Sequence, residues 1–299
     1  MNLRTLLVST DLSAPSRHTV QRAAMLAKQI GAKLELVHVL DKNELTELLR
    51  LLGEKGKLWQ ERIRSQARES LSQLADDISK PLGISVEHHL VEGEVLENIS
   101  AQANVLKASL LVVGAHGTGF MRRQLLGATA ERLQRMKKCP VLTVKQPPRT
   151  TYRNVLVPID FSPWSLSALS LALEIAPKAE LTLLHAYEAP FESKMHIAGE
   201  KEEEINSYRD KVRQEADVRL RQIAIDAGIA TEDWHPVVIH GDAVDRILEQ
   251  EVEQGADLIV LGKHGLGIGV GVAEEFILGS NTRQILIRAR CDVLVVPYR

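Results

Sequence analysis

The sequence predicts an α/β protein made of two doubly wound, five-stranded parallel-sheet domains in tandem duplication. Three observations predict it. The chain repeats itself in order, each repeat alternates short apolar runs with longer amphipathic stretches, and 299 residues leave room for about two domains of ordinary size. LLVSTDLSAPS at 6–16 recurs as VLVPIDFSPWS at 155–165, and KLELVHVL at 33–40 recurs as ELTLLHAY at 180–187. SVEHHLVEGEVLENI at 85–99 returns as DWHPVVIHGDAVDRI at 233–247, SLLVVGAHG at 109–117 as DLIVLGKHG at 257–265, and KCPVLTVK at 138–145 as RCDVLVVP at 290–297. Ordered matches at an offset of 147 to 152 residues are the mark of duplication. The polar, proline-bearing QPPRTTYR at 146–153 reads as the linker, which divides the chain into domains at 1–146 and 152–299.

Within the first copy, 5–8, 33–39, 85–90, 110–113 and 141–144 read as strands. Their nearly continuous Leu/Val content fits strands buried on both faces, hence a parallel sheet flanked by helices. Between the second and third strands Trp59, Ile63, Ala67, Leu71, Leu74 and Ile78 form one helical stripe, and Pro81 and Gly83 end it. The second copy repeats the stripe with Ile205, Tyr208, Val212, Ala216, Leu220 and Ile223, followed by Gly228. Alternating strands and helices imply right-handed crossovers and a doubly wound sheet.

Bulk chemistry narrows the function. Apolar residues make up 44% of the chain and aromatics only 4%, so the cores are built from Val, Leu, Ile and Ala. A net charge of −2 without a basic run gives no support to a nucleic-acid partner or an anionic membrane. No apolar run is long enough to span a bilayer, and Asp11 arrives too early for a signal-peptide core, so a cytoplasmic location is the expectation. The two cysteines, Cys139 and Cys291, form neither a disulfide framework nor a metal pair.

In open α/β sheets the ligand lies beyond the carboxyl ends of the strands. Strand 1 of each copy runs into an aspartate, Asp11 or Asp160, ahead of a Ser/Pro-rich helix start. Two readings stand: a turn or cap residue, or a carboxylate accepting from a sugar or base. Strand 4 of each copy ends in a glycine loop, Gly114-x-x-Gly117 and Gly262-x-x-Gly265, where the backbone can approach an anion. Downstream, Gly127-Ala128-Thr129 and Gly279-Ser280-Asn281 open another helix, whose N–H groups and dipole suit a phosphate chain. His116 and His264 could reach a phosphate or a metal but read more readily as local contacts, His38 and His185 read as structural, and His88-His89, His235 and His240 lack zinc-signature spacing, so no metal site is expected. Arg122 and Arg123 read equally as phosphate contacts or as a solvated turn. No nucleophile, oriented base and oxyanion donor assemble, and no Gly-Lys-Ser/Thr follows either loop, so no catalytic residue is assigned.

These motifs resemble the universal stress protein family, in each half and over essentially the whole chain. The resemblance implies a sheet of order 3-2-1-4-5, with ATP or ADP, accompanied by Mg, bound in at least one half. It also implies a regulatory stress-response module. Asp11 and Asp160 would meet ribose and adenine, with Val39 and Ala186 after the second strands and Val113 and Leu261 before the glycine loops. ATP-binding members carry Gly-x2-Gly-x9-Gly-(Ser/Thr). The first copy keeps that spacing but has Ala128 at the hydroxyl position, with Thr129 one residue later. The second has Ser280, but thirteen residues separate Gly265 from Gly279, Glu274 and Glu275 among them, so spacing favours the first half. Pro158 of the second copy matches the family where the first has Ser9. Edge strands at 140–144 and 292–297 would pair, giving an intrachain pseudo-dimer or a further homodimer. Two alternatives stay open: a slow ATP-hydrolysing or adenylyl-transfer enzyme, and an interaction scaffold or small-ligand binder without nucleotide.

Overall fold

The computed structural model describes residues 3–115, 127–136, 139–264 and 278–297. Among these residues, contacts divide the chain into two compact units. The first runs through Met1–Thr151 and takes in Leu278 and Asp292–Val295, while the second runs from Tyr152.

The first unit comprises β1 (Thr5–Ser9), α1 (Ala14–Ile30), β2 (Lys33–Asp41), α2 (Lys42–Leu52), α3 (Glu54–Leu82), β3 (Val86–Gly93), α4 (Val95–Val105), β4 (Leu110–Gly114), α5 (Ala128–Met136) and β5 (Val141–Val144). Its parallel strands lie in the order β3-β2-β1-β4-β5. Leu6, Leu7 and Val8 are fully buried, as central strands covered on both faces must be. Ser13 caps α1 by accepting from the Ser16 N–H, Pro15 sits in the first turn, and Gly31 ends the helix at φ +69°. In α3 the predicted stripe is buried at Ala67, Leu71, Leu74 and Ile78. Trp59 departs from it: half exposed, it lines an open groove with Leu12, His38 and Ile63. Pro81 is accommodated in the last turn, and Gly83 at φ +64° stops the helix.

The second unit repeats the plan with β6 (Asn154–Pro158), α6 (Pro163–Ile175), β7 (Glu180–Tyr187), α7 (Glu192–Ile197), α8 (Glu202–Asp226), a short 3-10 turn (Thr231–Asp233), β8 (Trp234–His240), α9 (Ala243–Glu253), β9 (Leu258–Gly262) and α10 (Ser280–Arg288), while β10 (Asp292–Val296) belongs to the first unit in all but its last residue. Its parallel order is β8-β7-β6-β9, and beyond β9 the Lys263 N–H donates to the Val296 carbonyl. Edge strand β8 tolerates Pro236, which has no N–H for a ladder. In α8 the inward stripe is Ile205, Ala216, Leu220 and Ala224.

Strand β5 does not end the sheet of the first unit. Val141, Leu142 and Thr143 pair antiparallel with Val295, Leu294 and Val293, so the apolar edge expected from the sequence is covered. Asp292 anchors this pairing from a buried position, its side chain 1% exposed. One of its oxygens accepts from Arg22 Nε at 3.2 Å, the other from the Lys145 and Gln146 N–H groups at 2.8 and 3.3 Å. Arg22 also donates to the Thr150 carbonyl at 2.7 Å. The segment that reads as a linker is thus pinned at Gln146 and at Thr150. Cys139 is half-buried and Cys291 buried, and neither is in a disulfide.

Candidate functional site

The turn after the first strand is built on the same aspartate–serine contacts in both units. Asp11 Oδ1 accepts from the Ser13 N–H at 3.0 Å and from the Ser13 hydroxyl, and Asp160 Oδ1 does the same with Ser162. Ser13 and Ser162 in turn cap α1 and α6. The residue between aspartate and cap, Leu12 or Phe161, sits at φ +62°, a conformation non-glycine residues adopt only when their surroundings hold them there. Each aspartate therefore fills the turn role, and that same turn fixes its carboxylate at the carboxyl end of the first strand. The histidines of the second strands brace the turns: Nδ1 of His38 donates to the Thr10 carbonyl at 2.8 Å, and Nδ1 of His185 to Ile159 at 2.7 Å.

In the second unit these ends surround a cavity of about 460 Å3, within the usual size range of small-molecule sites. Seven residues singled out from the sequence line it: Asp160, Ala186, Leu261, Gly262, Gly279, Ser280 and Asn281. Pro158 joins them at the end of β6. Gly265 lies outside the described residues, as do Glu274 and Glu275. The cavity has apolar walls from Ile159, Leu184, Ile247 and Ile285, and its polar groups come from the turn after β6, from Ser165 of α6, from His264 beyond β9 and from the N-terminus of α10. That mixture suits a flat apolar ring with a polar or anionic extension.

Two glycines make the cavity. A Cβ on Gly262 would lie 2.7 Å from Trp164 Cβ and 3.0 Å from its carbonyl carbon, so β9 can meet α6 only here as glycine. Gly279 donates its N–H to the Lys263 carbonyl at 3.0 Å, and a Cβ there would press to 3.3 Å on the same oxygen. Its N–H is committed to this turn, so the donors α10 can offer a ligand begin at Ser280. The first unit repeats the device, with Gly127 donating to the Ala115 carbonyl at 2.8 Å. The helices α5 and α10 start directly after Gly127 and Gly279, as expected. Sequence reasoning missed Thr282, buried, whose hydroxyl donates to the Gly262 carbonyl at 3.0 Å and ties α10 to β9. It also missed Ser165 and Ala243, while His264, read as a packing contact or a ligand-reaching residue, has a buried side chain that lines the cavity and meets Trp164 edge-on at 5.8 Å.

In the first unit Val39 and Val113 are core residues, packed in one apolar cluster with Leu7, Val37 and Ile99. Gly114 ends β4, and Thr129 lies exposed in the first turn of α5 beside Ala128. Gly117, His116, Arg122 and Arg123 lie outside the described residues.

A doubly wound sheet of order 3-2-1-4-5, with a cavity at its carboxyl edge and a glycine turn feeding a helix N-terminus, defines a nucleotide-binding-like α/β class. The family model described as "Universal stress protein family" matches residues 2–145 and again 151–297, and the chain belongs to that family as a tandem member. A universal stress protein of Mycobacterium tuberculosis is 28% identical over 300 residues, covering 97% of this chain and 95% of the relative. One of Methanocaldococcus jannaschii is 29% identical over 143 residues, 48% of this chain and 82% of its own. A solved universal stress protein from Archaeoglobus fulgidus has a TM-score of 0.72 at 23% identity, with both chains covered to 100%, a likeness of fold.

Proposed function

We infer that this chain is a cytoplasmic, nucleotide-responsive stress module that binds ATP or ADP in the cavity of its second half. The observation that carries the reading is the convergence of Asp160, Ala186, Leu261, Gly262, Gly279, Ser280 and Asn281 on one cavity at the strand carboxyl ends. Adenine would lie against the apolar wall near Ala186, Asp160 would accept from the ribose, and the α10 N-terminus would face the phosphates. Absence of a side chain at Gly279 keeps that helix end approachable. Magnesium would offset phosphate charge, and Asp160 places a carboxylate in the described lining. Sequence spacing speaks for a second site in the first half. A regulatory rather than catalytic role is part of the same reading.

Mass spectrometry of ligands released from gently purified full-length protein tests the reading. Adenine nucleotide is expected in substoichiometric to equimolar amount. A preparation that releases none, and takes none up from millimolar ATP, contradicts it.

A further inference from the structure

The first unit carries a cluster of side chains that the nucleotide reading does not use. Glu35 on β2 and Glu87 and His89 on β3 each present one ligand atom, all within 4.8 Å of one another. Strand register explains the grouping: Glu35 pairs with Glu87, and Val37 with His89, so residues 35 and 37 of one strand share a face with 87 and 89 of the next. The positions lie toward the amino ends of the strands, away from the carboxyl ends where Asp11 stands.

Glu35 is the unusual member. Its side chain is only 6% exposed, and among the described residues its one hydrogen-bond partner is His89, whose Nε2 lies 2.9 Å from Oε2. Its second oxygen has no hydrogen-bond partner among the described residues and keeps some access to solvent, so an ion could reach it. A buried carboxylate held by one contact is costly, and a cation shared with Glu87 and His89 would offset that cost. Glu87 is exposed and makes no hydrogen bond or ion pair with a described residue, so it can swing toward an ion. In tetrahedral geometry ligands at about 2.1 Å from zinc stand about 3.4 Å apart, a contraction that rotation of the Glu87 side chain can supply.

We propose that Glu35, Glu87 and His89 form a site for a divalent transition-metal ion of the zinc class, stapling edge strand β3 to β2. Two carboxylates and one imidazole are a borderline donor set that suits zinc and leaves a fourth position for water. The matching positions of the second half hold Thr182, His235 and Val237, which do not make the same donor set. The site therefore distinguishes the two copies.

Full-length protein stripped with chelator and titrated with zinc chloride by calorimetry, with cobalt chloride followed by visible absorbance, tests it. One zinc per chain is expected at the site, with a rise in the thermal midpoint on zinc addition. Glu87→Gln, exposed and remote from the core, and His89→Ala each weaken binding at least about tenfold, the loss typical even of an outer partner. Both abolish the midpoint rise, and His235→Ala leaves binding and midpoint unchanged. Absence of saturable zinc uptake, or uptake unaltered in Glu87→Gln and His89→Ala, overturns the proposal.

Discussion

His185 stands behind the turn that holds Asp160, and its protonation reports on that turn. Burial pushes its pKa below the ordinary 6.5; its Nδ1–H bond to the Ile159 carbonyl opposes the shift, the Arg219 guanidinium adds to it, and the Asp160 carboxylate opposes it. The folded state therefore favours neutral imidazole, while the unfolded chain takes up a proton near pH 6.5. Stability from this group is complete above that pH and falls as pH drops toward the lower folded value. NMR titration should place His185 below 6.5, and His185→Gln should flatten the acid limb of the stability profile. A midpoint at or above 6.5 contradicts the account. Phe161, at φ +62° against the His185 ring at 4.4 Å and beneath Arg219 at 4.0 Å, is held by the same packing. The sequence named Asp160 as a residue of interest, but not the hydroxyl of Ser162 that fixes its carboxylate.

At the scale of elements, the meeting of β9, α6 and α10 decides whether a cavity exists. Gly262→Ala would drive a methyl into the Trp164 backbone, and overpacking of this kind costs about 1–3 kcal/mol. Urea unfolding should show that loss together with weaker nucleotide binding; an unchanged midpoint would mean the contact is looser than described. Most elements were legible because each carries its own period and punctuation. Strand β5 spans Val141–Val144, as read, and β2 runs two residues beyond Val39 to Asp41. Helix α2 was not legible: of its leucines only Leu45 is buried, so no inward stripe announces it. Thr282 was missed as a site residue because its contact to Gly262 crosses between elements, and the packing partner of His264, Trp164, lies far away in sequence.

For the whole molecule, duplication was the clearest message of the sequence, and the divergence it showed was confined to the glycine loops and Ser9 against Pro158. Arg22 and Asp292 match Leu171 and Pro140 in the other copies of their segments, so their buried ion pair is made once and not twice. A pair separated by 270 positions leaves no local trace. Breaking such a pair typically costs about 3–5 kcal/mol, because the surviving charge stays buried. The Glu35, Glu87 and His89 cluster was overlooked for a related reason: strand register, and not spacing along the chain, brings its members together.

The central claim is that the second-half cavity takes an adenine nucleotide with its phosphates toward α10. Calorimetric titration of ATP with magnesium into wild-type protein, Ala186→Trp and Asn281→Asp tests it most directly. Ala186→Trp fills the apolar wall, whereas Asn281→Asp keeps the exposed side chain's size and adds a charge that favours the helix start but repels phosphate. The account predicts saturable binding to wild type, weakened at least tenfold in both variants, with Asn281→Asp no less stable than wild type. Absence of ATP binding by the wild type, or equal binding by all three proteins, would contradict it.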